Sequence, residues 1–188
     1  QWSSREILGS RLFWIPVVAM LPLNTAFGAV QFNLGAYAQD LGLATERAAN
    51  LIALCSLCMI LGKLFFGGLG DRIDHRYLYW LAAASMSAAM LILQGGPAPW
   101  LVTVGVVCVG LAGGGILPMM GLIHGARFGL ASFGRVMGLV MLTITFSAIG
   151  PLLAGWIFDL TGSYDTAFML FLGLFAPGII LMKWLPAP

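Results

Sequence analysis

Apolar residues in this chain fall into six long runs separated by short polar breaks, and the runs do not alternate apolar with polar. Residues 12–37, 77–96, 98–123 and 136–158 contain no Asp, Glu, Lys or Arg. Residues 48–70 contain only Lys63, close to the end of the run, and residues 166–185 only Lys183, similarly placed. A long side chain there reaches the membrane interface while its stem stays in the apolar layer. About 20 apolar residues in an α-helix cross a hydrocarbon core about 30 Å thick. Barrel strands need a period of two, which is missing. The pattern predicts an all-α polytopic membrane bundle of six transmembrane helices, spans one to six. Residues 1–11 are expected to form a cytoplasmic linker segment, 12–185 the bundle and 186–188 a C-terminal tail.

Composition agrees with that solvent. Hydrophobic residues make up 60% of the 188, and the mean hydropathy of +0.97 lies outside the range of ordinary soluble domains. Charge then sets the sidedness. Eight of the nine Lys and Arg (Arg5, Arg11, Lys63, Arg72, Arg76, Arg127, Arg135, Lys183) fall on one side of the predicted bundle, and Arg47 alone on the other. Under the positive-inside rule both ends are cytoplasmic, which six crossings also require. The net charge of +2 reflects this sidedness and gives no reason to invoke nucleic acid. The opening Gln1-Trp2-Ser3-Ser4-Arg5-Glu6 resembles no cleavable leader and suggests a piece of something longer.

Charged residues are 9% of the chain, yet four crowd into one break, Gly67-Gly68-Leu69-Gly70-Asp71-Arg72-Ile73-Asp74-His75-Arg76. Glycine, carboxylate and guanidinium concentrated at a membrane exit suit close helix contact and ion pairing. Spans one and four carry the other anomalies. Span one contains Pro16, Pro22 and Gly28 with Asn24, Gln31 and Asn33; span four contains Gly105, Gly110, Gly113, Gly114, Gly115, Pro118 and Gly121. Such residues persist in lipid where neighbouring helices or a cavity compensate the backbone. Paired Gly/Pro-interrupted helices in two three-helix repeats point to a substrate path. Asn24, Phe27, Gly28 and Gln31 share one helical face, with Asn24 near mid-membrane. Asn24, Phe27 and Gln31 are expected to line the path opposite Gly113 and Gly114, or else the amides tie helices together by hydrogen bonds.

Span five brings Gly150-Pro151-Leu152-Leu153-Ala154-Gly155. Gly150 and Gly155 let a neighbouring backbone approach, and Pro151 bends the helix. Thr143 and Ser147, one turn apart, face either the cavity or their own helix's carbonyls. The small-xxx-small spacings at Gly121, Gly125, Gly129 and at Gly134, Gly138 are packing devices. Cys55 and Cys58 form a C-x-x-C inside an apolar span with no second pair and no nearby histidine, so packing is the reading, not metal or redox chemistry. His75 and His124 are expected in cytoplasmic loops. No nucleophile–base pair or metal-ligand cluster is visible, which leaves no cofactor, no metal and no enzyme.

The whole chain resembles the C-terminal six-helix half of a Major Facilitator Superfamily transporter. The break at 67–76 is similar to the family signature G-x-L-x-D-R-x-G-R-R, matching at Gly67, Leu69, Asp71, Arg72 and Arg76 and departing at Asp74 and His75. The Gly150-Pro151 stretch with Trp156, Asp159 and Gly162-Ser163-Tyr164 resembles the eleventh helix of bacterial members related to monocarboxylate and oxalate/formate porters. The resemblance implies secondary active transport of a small solute, by symport or antiport, through a cavity between two six-helix halves. It further implies a bacterial inner-membrane location, the N-terminal half of the same protein and the lipid bilayer as partners, and a signature loop that latches the cytoplasmic side. Such porters commonly hold a basic residue in the eighth or eleventh helix, and spans two and five hold none near mid-membrane. A non-transporting six-helix receptor or scaffold is the alternative, since a fold does not decide function. Spans three and six, poor in polar residues, are expected to face lipid.

Overall fold

The computed structural model describes residues 1–186. They form eight α-helices and three short 3-10 turns, with no strand among the described residues. The helices are α1 (Ser4–Leu8), α2 (Arg11–Asp40), α3 (Thr45–Gly70), α4 (His75–Ile92), α5 (Pro99–Phe128), α6 (Phe133–Ile144), α7 (Ile149–Thr161) and α8 (Asp165–Leu181). The six apolar runs correspond to α2, α3, α4, α5, the pair α6–α7 and α8. Of the expected tail at 186–188, only Pro186 lies within the described residues.

Local chemistry sets the helix ends. Ser3 and Glu6 form a capping box on α1, Ser10 caps α2 by accepting from Leu12 N at 3.2 Å, and Asp74 caps α4. Pro99 opens α5, where its missing N–H costs nothing. Gly162 stops α7 in the left-handed conformation, φ +71°, which a side chain disfavours. The residues expected to form a linker pack on the bundle. Ile7 is fully buried, Trp2 N donates to Ser132 Oγ at 2.8 Å, and the Arg135 guanidinium donates to the Trp2 carbonyl.

Five segments are long and apolar enough to cross a membrane: α2, α3, α5, the stretch Leu130–Thr161 and Asp165–Trp184. The sixth expected span, α4, has 18 residues and opens on His75 and Arg76, followed by Tyr77, Tyr79 and Trp80, so its apolar content is lower. These aromatic polar atoms serve as interhelical ties. Tyr79 Oη donates to the Ala19 carbonyl at 2.9 Å and Trp80 Nε1 to the Ile179 carbonyl at 3.2 Å. From α2, Tyr37 Oη donates to the Leu93 carbonyl at 2.5 Å. In an apolar surround each such tie satisfies a group that would otherwise be costly to bury.

Packing follows a paired scheme. α3 and α4 both lie against α5, while α6–α7 and α8 both lie against α2, and α2 touches α5. The α3–α5 contact is close because glycines replace side chains. A Cβ at Gly62 would overlap the Leu111 carbonyl, one at Gly114 the Met59 carbonyl, and one at Gly110 the Cys55 carbonyl and Cys58 Cβ. The two cysteines are therefore part of this seam, and both are free thiols. α2 is the most buried of the five apolar segments and Leu130–Thr161 the least.

His124 is a correction. It lies inside α5, not in a loop, and is fully buried, with Nδ1 2.8 Å from the Met120 carbonyl and the ring edge-on to Phe13. A polar residue at the end of an apolar run reads as a boundary, but α5 continues to Phe128 because those backbone and side-chain partners satisfy the imidazole.

Candidate functional site

Two concave regions hold the residues singled out above. The first is a cleft of 240 Å³ between α2 and the junction of α6 with α7. Asn24, Phe27, Gly28, Gln31 and Phe32 line it from α2; Ile144, Thr145, Ser147, Ala148 and Pro151 line it from the other side. Asn24 sits near the middle of the 30-residue α2. No residue of α4 or α8 enters the lining.

The α6–α7 junction owes its shape to proline and hydroxyls. Pro151 lacks an N–H and crowds the carbonyl one turn back. The chain passes through a 3-10 turn at Thr145–Ala148 just before it. Thr143 Oγ1 donates to the Val140 carbonyl at 2.7 Å, Thr145 Oγ1 to Met141 at 3.1 Å and Ser147 Oγ to Ile144 at 2.6 Å. This back-bonding to the helix's own carbonyls bends helices. Each residue of a 3-10 turn advances by about 120° against about 100° in an α-helix. Ser147 thus reaches the cleft while Thr143 lies outside its lining.

Within the cleft, Asn24 Nδ2 donates to Ser147 Oγ at 2.5 Å, and Gln31 Nε2 lies 3.6 Å from Met59 Sδ. Asn33, also on α2, is placed differently. Its Nδ2 donates to the Ala29 carbonyl at 2.9 Å and across to the Pro151 carbonyl at 3.2 Å, a tie between α2 and α7. Gly113 and Gly114 are buried and lie outside the lining. A Cβ at Gly113 would overlap the Phe27 ring, so Gly113 seats the aromatic wall of the cleft from behind. Gly150 meets the Thr25 carbonyl closely, whereas a Cβ at Gly155 would have only ordinary contact with Asn33. Phe32 and Thr145 line the cleft with no distinguishing signal in the sequence. Gly28 shares the face of Asn24 and Gln31, and that periodicity is the signal for it.

The second region is an open groove of 1030 Å³ at the charged break, between the end of α3, the turn at 71–74 and the last turns of α5. Gly67, Asp71, Arg72, Asp74 and His75 line it with Pro118, Gly121, Leu122 and Gly125. Asp71 and Arg72 are exposed, and their side chains make no hydrogen bond among the described residues. Arg76 is occupied. Its Nη2 donates to Asp74 Oδ2 at 2.6 Å and its Nε to Asp74 Oδ1 at 3.1 Å, while Arg76 N donates to the same carboxylate at 2.8 Å. These hydrogen bonds hold the Asp74 carboxyl below the usual carboxylate range. Leu69 packs on the core.

The sequence model of the Major Facilitator Superfamily matches residues 5–188. Among curated proteins, monocarboxylate transporter 12 of Rattus norvegicus is 28% identical over 166 residues, covering 82% of this chain and 33% of the relative. Monocarboxylate transporter 13 of the same organism is 26% identical over 157 residues, covering 81% and 36%. Monocarboxylate transporter 12 of Homo sapiens is 28% identical over 166 residues, covering 82% and 31%. The chain spans about a third of the length of these relatives.

Proposed function

The chain belongs to the Major Facilitator Superfamily, and from that membership we propose that it forms the C-terminal six-helix half of a secondary transporter moving a small solute by alternating access. The family together with the five apolar helices makes it an integral, multi-pass membrane protein. The observation that carries the proposal is the cleft between α2 and α6–α7. Two amides near the middle of a span open into it beside a proline-broken helix, as at transporter binding sites. Asn24, Phe27, Gln31 and Ser147 are assigned to the substrate path, with Gly113 supporting Phe27, Gly114 closing the α3 seam and Thr143 shaping the bend. The reciprocal packing of α3 and α4 on α5 and of α6–α7 and α8 on α2 supports two inverted three-helix repeats.

The groove at the charged break is assigned to the N-terminal half. Gly67 and Gly70 lie along it, and Asp71 and Arg72 project there without partners among the described residues. The salt bridge to Asp74 leaves Arg76 to steady the turn and Asp71 and Arg72 to form the latch. Gly150 and Pro151 pack α7 on α2, with Gly155 a looser contact.

The relatives are named for monocarboxylates, and a small monocarboxylate is the substrate class that follows. No basic residue lines the cleft, so the neutralising charge is assigned to the rest of the protein. The distribution of Lys and Arg supports cytoplasmic ends. These relatives are vertebrate proteins, which supports a cell membrane and gives no support to a bacterial one. The test is uptake of radiolabelled 2-hydroxypropionate by liposomes containing the full-length protein. Saturable uptake above protein-free liposomes is expected; binding without flux supports a receptor instead.

A further inference from the structure

We propose that the cleft between α2 and α6–α7 receives the hydrogen-bond-donating group of the solute, a hydroxyl or an ammonium, on the side-chain oxygens of Asn24 and Gln31. The inference rests on the reading of this cleft as the solute path and adds what that path selects.

The argument is an inventory of donors and acceptors. Ser147 Oγ has one proton and gives it to the Ile144 carbonyl at 2.6 Å. Toward Asn24 it can therefore only accept, so the amide must turn its nitrogen to Ser147, at 2.5 Å. That orientation leaves Asn24 Oδ1 as the free end. Met59 Sδ has lone pairs and no proton, so Gln31 turns its nitrogen to it at 3.6 Å, and Gln31 Oε1 is likewise the free end. Thr145, the remaining polar side chain in the lining, spends its proton on the Met141 carbonyl. Neither amide oxygen has a hydrogen-bond partner among the described residues, and neither is among the buried unpartnered atoms, so both are accessible on residues that line the cleft.

The cleft of 240 Å³, with aromatic walls at Phe27 and Phe32, thus offers two unpartnered amide oxygens as acceptors. A bare carboxylate cannot pair with either oxygen, because acceptor then faces acceptor without a proton between them, and only the second N–H of each amide could serve it. A hydroxyl or ammonium on the solute supplies that proton. A site built to hydrogen-bond such a group discriminates against the analogue lacking it, because its acceptors are then left unpaired.

The test uses the full-length protein carrying Ala148→Cys, an exposed position in the lining with no side-chain hydrogen bond to lose. Protection of that thiol from a membrane-impermeant maleimide is titrated with 2-hydroxypropionate, 2-aminopropionate and propionate. At least one donor-bearing solute should protect at a concentration about tenfold lower than propionate, in keeping with one hydrogen bond. Which of the two wins separates hydroxyl from ammonium. Adding Gln31→Met, which keeps length and removes the oxygen, should shrink that preference to about twofold or less. Equal protection by all three, or a preference that survives Gln31→Met, overturns the proposal and leaves the path reading standing. No protection by any of the three removes the path reading and the proposal together.

Discussion

Asn24 and Asn33 lie on the same helix and make opposite kinds of contact. Asn24 donates into the cleft and keeps a free oxygen there, while Asn33 gives its amide protons to two carbonyls, one of them across on α7. Asn33→Ala should therefore lower folded abundance in the membrane, at about 0.5–2 kcal/mol for the lost interhelical bond. Uptake per folded molecule should be nearly unchanged, checked by flux normalised to detergent-resistant protein. Asp74 supports a second expectation. It caps α4 and holds Arg76, so Asp74→Ala should cost about 1 kcal/mol in thermal stability, mainly through the cap, and Asp74→Asn less than half of that. Helical periodicity in the sequence is enough to gather Asn24, Phe27 and Gln31 on one face. It cannot separate a cleft amide from a tying amide, because that depends on which carbonyl stands opposite.

At the scale of elements, apolar run length makes five of the spans plain, and the sixth is shorter and more polar because α4 spends Tyr79 and Trp80 as donors to other helices. The bend in span five was only partly legible. Pro151 signals it, but the 3-10 turn at Thr145–Ala148 separates Ser147 from Thr143, which α-helical spacing had put on one face. Gly113 and Gly114 of α5 read as a path lining, but Gly113 seats the Phe27 ring and Gly114 the α3 backbone at Met59, since a contact across helices leaves no trace in local spacing. Gly113→Ala should push the Phe27 ring into the cleft and reduce uptake about tenfold, at an overpacking cost of about 1–3 kcal/mol. Gly134→Ala, where an added Cβ meets nothing within 4 Å, serves as the control and should leave uptake within about twofold. Equal loss in both variants would show that helix flexibility, not the Phe27 wall, matters.

For the whole molecule, two surfaces divide the work in the proposed reading: a cleft near mid-span assigned to solute and an open groove at the charged break assigned to the other half. Alternating-access states differ by only a few kcal/mol, so one latch contact shifts their populations measurably. Asp71→Asn in the full-length protein should favour the inward-facing state about two- to fivefold and slow transport while leaving solute affinity unchanged. Accessibility labelling from each side of the membrane reads this, and unchanged labelling with normal flux would make Asp71 a solvated loop charge. The central claim is that solute passes the amide face of α2. The most direct measurement is initial uptake of radiolabelled 2-hydroxypropionate into liposomes by the full-length protein, wild type against Asn24→Ala combined with Gln31→Ala, at matched amounts of folded protein. The account predicts a loss of about tenfold or more with the double variant. Uptake at the wild-type rate would contradict it.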